Sequence, residues 1–475
     1  MHKTKVIWEP AKLPQLGIVF LIGLAIWFCP HPDTLDPRGW HLLAIFIATV
    51  AGIVLRPLPM GAVALLGVTA TVFTNTLPLD HALSGFGNEQ IWLIVIACFI
   101  ARGFIKTGLG RRISYIFIEI FGGSSLGLAY GFLLSDLIMA PAIPSSTARA
   151  GGIILPVLKS LSETMGSRPE DGSARRIGAY LTTVNFHGTV ITTTMFLTAG
   201  AANPIITKLA SAHGVEITWG LWALAASVPA VLCLLLIPLV TYLVYPPHLK
   251  KTSFAAAHAK EKLHEMGPLT KPEVLMSIAF VLLVGLWVFG GQLSIHPTST
   301  AILGLCFLLV VGVLNWKDIL AEEVAWDSLI WFSVLVMMAT NLNKLGVIHW
   351  FGDGIVSQVA GMQWHHALAI LILVYFYIHY FFASVTAHVS ALFAPFLAVA
   401  ISVGTPPLLA ALALGFFGTL CGGLTHYGMG QAPILYSTGY VDLKSWWKMG
   451  IILCTMYLII WAVAGGLWWK WLGIW

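Results

Sequence analysis

Met139-Ala-Pro-Ala-Ile-Pro-Ser-Ser-Thr-Ala-Arg-Ala-Gly-Gly-Ile-Ile-Leu-Pro156 sets three hydroxyls and an arginine inside a strongly apolar region. Pro141 and Pro144 precede the hydroxyls, and Gly151-Gly152 follow Arg149. Proline has no backbone N–H and restricts the residue before it, so the stretch predicts a helix break across Ala140–Pro144. At membrane depth a broken backbone is tolerated only where it is buried in protein or lines a watery cavity. Hydroxyls at such a break, followed by a new helix start, point to a binding site.

The surroundings make membrane depth the right frame. Of 475 residues, 58% are hydrophobic and 9% charged, against roughly 25% charged in soluble domains. Apolar runs of about 20 residues recur, as a bilayer core of about 30 Å requires. The chain reads as an all-α polytopic membrane protein. Trp461, Trp468, Trp469, Trp471 and Trp475 form a terminal cluster suited to the membrane interface. Leu16–Cys29 lacks a cleavage pattern and reads as a first span, not a signal peptide. No Arg- and Ser-rich transit segment precedes it, which points to a bacterial inner membrane. The six cysteines show neither metal-ligand nor disulfide spacing and read as small core residues; no metal and no cofactor are expected. The net charge of +5 resides in loops, where it reports topology and gives no sign of a nucleic-acid partner.

Spans are expected near Leu16–Cys29, His41–Val54, Gly61–Leu77 and Ile91–Phe104, with Ile113–Phe121 as an interfacial helix. Lys3, Lys5 and Lys12 precede the first span, Arg56 follows the second, and Arg102 to Arg112 follow the fourth; Asp33, Asp36, Asp80 and Glu89 occupy the alternate loops. Basic loops stay inside, which places the N-terminus in the cytoplasm. Arg168, Arg175 and Arg176 make the loop after Leu161 basic as well. Leu126–Leu161 then enters and leaves on one side, as a re-entrant hairpin with Ser145–Thr147 at its tip. The lysine-rich stretch 246–272 reads as a cytoplasmic linker between halves 1–245 and 273–475. Counting onward gives about 11 crossings, two hairpins (about 126–161 and 367–403) and an external C-terminus.

The two halves repeat. Ser145–Leu158 (SSTARAGGIILPVL) laid over Ser384–Leu397 (SVTAHVSALFAPFL) matches Ser, Thr, Ala, Pro and Leu without a gap. Arg149 and His388 each follow a Ser-x-Thr-Ala, and each half has a later break, at Asn203-Pro204 and Gln431-Ala-Pro433. On this topology the second hairpin enters from the opposite side. Inverted repeats with broken helices near mid-membrane are the signature of secondary transporters.

Lys106-Thr-Gly-Leu-Gly-Arg-Arg112, Ala140–Gly152, Tyr380–His388, Thr425–Pro433 and Tyr436-Ser-Thr-Gly-Tyr440 together resemble the divalent anion/sodium symporter family of dicarboxylate transporters. The match is closest to its exchanger branch, with plastid 2-oxoglutarate/malate translocators and bacterial citrate/succinate and tartrate/succinate antiporters. The resemblance covers nearly the whole chain. It implies a homodimer in which a transport domain moves, elevator-like, against a fixed scaffold. It also implies carboxylate binding by paired Ser-Asn-Thr motifs, here Ser145-Ser146-Thr147 and Ser384-Val385-Thr386.

Hydroxyls at helix starts suit carboxylates, because the positive dipole end attracts anions. Valine at position 385 offers no side-chain oxygen to sodium. Arg149 and His388 place cationic groups one turn beyond Ser145 and Ser384, so the expectation is sodium-independent exchange of di- or tricarboxylates with these charges in place of coupling ions. Arg149 facing the site and Arg149 snorkelling to the interface both remain open here. His388 as an ionisable site group and as a core histidine are likewise both open. Thr425, His426, Gln431 and Asn203, at the later breaks, are further substrate-binding candidates. His187 and Thr192–Thr194 read equally as interhelical hydrogen bonding. No Ser-His-Asp set, HExxH or phosphate loop supports an enzyme. The rival readings are a sodium-coupled symporter and an anion channel.

Overall fold

The computed structural model describes residues 11–32, 35–290, 292–347, 350, 363–382 and 384–475. Lys3, Lys5 and Asp33, which entered the topology argument, lie outside them. In chain order the main helices are α1 (Leu13–Trp27), α2 (Pro37–Leu55), α3 (Met60–Phe73), α4 (Glu89–Thr107), α5 (Leu109–Phe121) and α6 (Ser125–Met139). After a break and a π-helical turn, Ala148–Ile154, come α7 (Leu155–Thr164), α8 (Gly178–Met195), α9 (Ala202–Ser211) and α10 (Trp219–Val244). The stretch between the halves holds α11 (Ser253–Met266), and α12 (Lys271–Phe289), α13 (Pro297–Val310) and α14 (Glu323–Lys344) follow. The second half continues with α15 (Trp364–Tyr377), α16 (Val385–Ser402), α17 (Pro407–Leu420), α18 (Gln431–Tyr436) and α19 (Leu443–Ile460). No β-strand occurs among the described residues.

Eight of the described helical segments are long and apolar enough to cross a bilayer, and five shorter apolar helices accompany them. The shorter ones are α1, α3, α6, α13 and α17 with its terminal turn. The chain is an all-α polytopic membrane protein. Its outer helices behave accordingly: α10 leaves Leu224, Leu235, Leu239 and Leu243 exposed, and α12 leaves Ile278, Val281 and Leu282 exposed. Contiguous exposed apolar surface of this kind is matched by lipid, not water. The 246–272 stretch, expected as a linker, contains α11, which packs along α5. Its sequence is polar on average, so periodicity alone hid a helix whose Ala255 and Ala259 are buried.

The chain forms two compact units, Met1–Asn88 with Trp326–Gly354, and Glu89–Ala325 with Ile355–Trp475. Each draws on both halves, so packing cuts across the sequence repeat. In the first unit α1, α2 and α3 pack in sequence, and the Gly61 amide donates to Asp327 Oδ1 at 3.1 Å. An apolar cleft of about 430 Å³, lined by residues such as Leu16, Phe20, Ala48 and Phe73, lies among these helices.

In the second unit the deepest elements are α8 and α17. Seventeen residues of α8 and twelve of α17 are buried, and the two helices pack together. Around them α6 and α10 pack on α8, whereas α15 and α16 pack on α17. The motif Lys106–Arg112 is the hinge between α4 and α5. Gly108 takes φ +78°, a left-handed turn that favours glycine. Lys106 Nζ meets Asp318 at 2.6 Å, and Arg112 Nε meets Glu273 at 2.6 Å. Lys106 and Arg112, two of the three cations of that motif, are thereby structural ties.

Candidate functional site

The first hairpin breaks where its prolines dictate. α6 ends at Met139, and the helix resumes at Ser146, passing into the π-helical turn at Ala148. Three of the carbonyls freed there find partners within the protein, as buried backbone favours. Met139 O accepts from the Ala142 and Ile143 amides at 3.2 and 3.1 Å. Pro141 O accepts from the Thr198 hydroxyl at 2.5 Å, and Ile143 O accepts from Arg149. Ser145 Oγ caps the new helix by accepting from the Ala148 amide at 3.1 Å. Pro156 cannot donate to the turn before it, and with Gly151-Gly152 the chain widens there into a π-helical turn. Ser145, Ser146 and Thr147 are half-buried, whereas Pro141–Pro144 and Arg149 are buried.

Arg149 does not reach the interface. It is fully buried, and its guanidinium donates to Asp136 Oδ1, Ala199 O and Thr193 Oγ1, each at 2.9 Å, and to Thr192 Oγ1 at 3.4 Å. Thr192 in turn donates to the second Asp136 oxygen. Expected as a counter-charge for substrate, Arg149 has its charge met within the protein by Asp136. It braces the hairpin against α8 and the break before α9. Asp136 escaped the sequence reading, although a lone carboxylate at the end of an apolar helix signals a buried partner.

The second hairpin follows the same plan with different chemistry. α15 ends in a 3₁₀ turn, Ile378–Phe381, and α16 starts at Val385. Tyr380 O accepts from Tyr427 Oη at 2.8 Å. Ser384 Oγ accepts a long 3.5 Å bond from the Ala387 amide. Ser384 and Thr386 are half-buried, whereas Val385 and His388 are buried. Pro395, at the register of Pro156, leaves α16 an ordinary helix; Ser390 and Ala391 stand there in place of the glycine pair.

The two tips meet on one loop. The Val385 amide donates to Gly428 O at 3.0 Å. Ser146 Oγ donates to Gln431 Oε1 at 2.9 Å. Thr147 Oγ1 lies 2.5 Å from where a Cβ on Gly430 would sit, so only glycine admits that approach. Residues 428–431 span at most about 11 Å of extended chain. Five half-exposed hydroxyls from hairpins 239 residues apart in register, on Ser145, Ser146 and Thr147 at one tip and Ser384 and Thr386 at the other, are thus gathered by Gly428–Gln431.

The sodium:sulfate symporter transmembrane region matches residues 11–475. The chain belongs to this family. Its relatives include YflS of Bacillus subtilis (strain 168), 55% identical over 98% of this chain and 97% of that protein. Dicarboxylate transporter 1 of Spinacia oleracea chloroplasts is 50% identical over 98% of this chain and 83% of its own length. Two solved structures share the fold: the Alcanivorax borkumensis YdaH transporter (TM-score 0.56, 12% identity, 97% of each chain) and Neisseria gonorrhoeae MtrF (TM-score 0.58, 14% identity, 95% of this chain and 97% of that one).

For a member of this family the remaining candidates divide clearly. Asn203 is buried with its side chain fully used: Nδ2 donates to Thr193 O and Phe196 O at 2.7 and 2.9 Å, and Oδ1 accepts from Thr419 at 3.1 Å. It clamps its break and presents nothing to a ligand. His426 is half-buried, and its Nδ1 accepts from Trp447 Nε1 at 3.2 Å. Thr425 is buried with its hydroxyl unpartnered. His187 bonds Tyr457 Oη at 2.8 Å, joining α8 to α19. A separate cavity of about 740 Å³ is lined by Glu89, Lys208, Glu216, Trp219 and His296, with Leu197 and Pro204 at its edge. Pro204 directly follows the clamped Asn203, so the cavity adjoins the first half's later break.

Proposed function

We propose that this chain is a secondary transporter that exchanges small dicarboxylates across a membrane by alternating access. The observation that carries this is the meeting of both hairpin tips on Gly428–Gln431. A dianion needs two donor clusters a few ångströms apart, each at a helix start where the backbone dipole is positive. Ser145–Thr147 and Ser384–Thr386 supply them, with Gln431 bonded to the first tip and His426 two residues before the Gly428 that meets the second. The half-buried Ser146 hydroxyl can exchange its bond to Gln431 Oε1 for a stronger one to a carboxylate, which offsets the loss of a donor at the buried amide oxygen. The dicarboxylate transporters among the relatives point the same way.

Sodium-independent antiport is favoured over symport by Val385. Its side chain packs within 2.6 Å of the Cβ position of Gly422 and its amide is engaged by Gly428. It offers no oxygen to a hard cation, which binds oxygen ligands. A bacterial inner membrane, a cytoplasmic N-terminus, an external C-terminus and a homodimer with elevator movement complete the proposal. The test is uptake of labelled malate, succinate or 2-oxoglutarate into proteoliposomes preloaded with unlabelled dicarboxylate. Exchange that proceeds equally in sodium-free buffer is expected. Uptake that requires sodium, or efflux that is neither saturable nor accelerated by external substrate, would contradict it.

A further inference from the structure

The repeat extends beyond the hairpin tips to the groups that hold them. Asp136 lies 13 residues before Arg149, and Tyr375 lies 13 before His388. Thr193 lies near the end of α8 and Cys421 directly after α17, each shortly before its half's later break. Arg149 bonds both Asp136 and Thr193. In the second half the corresponding places hold His388, Tyr375 and Cys421, and His379 joins them where the first half has Ala140.

In the first half every polar group of this set is satisfied. In the second the imidazoles are nearly bare: neither ring nitrogen of His388 has a hydrogen-bond partner, nor does the Tyr375 hydroxyl, and His379 has only the Gly428 backbone beside its ring. All three ring residues and Cys421 have no solvent exposure. The His388 ring lies 4.4 Å from Tyr375 and 5.2 Å from His379 between centroids. One nitrogen from each histidine and the Cys421 sulfur all fall within 4.8 Å of one another. Gly428 leaves the room this needs, since its missing Cβ would sit 2.7 Å from His379 Nε2.

Unpaired buried polar atoms are costly, by about 1–3 kcal/mol each. Two imidazoles and a thiol converging on one point are a ligand set for a borderline-soft divalent ion such as zinc. Tetrahedral coordination with bonds of about 2.0–2.3 Å puts donors roughly 3.5 Å apart, so side-chain rotations of about an ångström close the set.

We propose that His379, His388 and Cys421 bind one zinc-like divalent cation, which ties the start of α16 to the end of α17 as Arg149 and Asp136 tie the first hairpin to α8. The imidazoles bind neutral, and Cys421 releases its proton to solvent as the sulfur–metal bond forms. The site is independent of which anion the chain carries.

The test is a cobalt titration of the purified full-length protein in lipid nanodiscs under reducing conditions. A single equivalent should give a sulfur-to-cobalt charge-transfer band with tetrahedral visible absorption, and zinc should displace it. Cys421→Ser should abolish the charge-transfer band while the protein keeps its metal-free melting temperature. His379→Gln and His388→Gln should each weaken binding by about tenfold or more. No charge-transfer band in the unaltered protein would overturn the proposal without recourse to any variant. So would a band that persists in Cys421→Ser, since it would arise from another thiol, such as the exposed Cys29 or Cys306.

Discussion

The two hairpins are copies in sequence and opposites in how they are held. The first is tied by a buried ion pair in which Arg149, Asp136, Thr192 and Thr193 satisfy one another. The second is surrounded by aromatic rings, with His388 against Tyr375, His379 and Phe382. The tips kept their hydroxyls while the supports diverged. Binding groups and bracing groups were thus free to change separately, because only the tips need to present donors to an anion.

That contrast is broken most severely at Asp136. Asp136→Ala leaves a fully buried guanidinium without its carboxylate and should destabilise the protein by about 3–5 kcal/mol. A fall in melting temperature in detergent would show it. Replacing both partners, as Asp136→Leu with Arg149→Met, should recover most of the loss, because apolar replacement of a whole buried pair is nearly neutral. His388→Phe, at the same register in the second hairpin, should cost far less in metal-free protein.

At the tips the effect should move from stability to substrate. Ser146→Ala and Thr386→Ala each remove a donor to a charged group, about 1.5–3 kcal/mol, so KM should rise roughly tenfold or more while the melting temperature holds. A melting temperature that falls with KM would mark these hydroxyls as bracing groups. Gly430→Ala is a subtler strain on the junction. Its Cβ would lie 2.5 Å from Thr147 Oγ1, so the tip must shift, and exchange should slow several-fold. The smallest effect is expected from Val385→Asn, which returns an oxygen to the second tip and should make exchange respond to sodium where the parent does not.

Much of this was legible in the sequence because it rests on short-range rules. Prolines and glycines marked both breaks, and the ungapped match of Ser145–Leu158 to Ser384–Leu397 identified them as a pair. The all-α membrane class followed from sparse charge and recurring apolar runs. What could not be read was which polar residue faces which. Asp136 and Arg149 are 13 residues apart across a break, so no helical spacing pairs them. Asn203 looked like a ligand because its type and its proline neighbour suit one, yet backbone carbonyls and Thr419 consume it. His379 sits in the aromatic run Tyr375–Phe382, where no polar spacing marks it, and Cys421 reads as a small core residue. They meet His388 only through the packing of α15 and α16 on α17. α11 was missed because its burial rests on two alanines in a polar stretch.

The claim on which the rest depends is that one substrate molecule covers both tips. Cysteines placed singly at Ser146 and Thr386, in a background with the exposed Cys29 and Cys306 replaced by serine, allow that to be read directly. Labelling by a small maleimide should be blocked at both positions by the same dicarboxylate with the same half-maximal concentration, and by a monocarboxylate at neither. Protection of one position alone, or of the two with clearly different concentrations, would contradict a shared site.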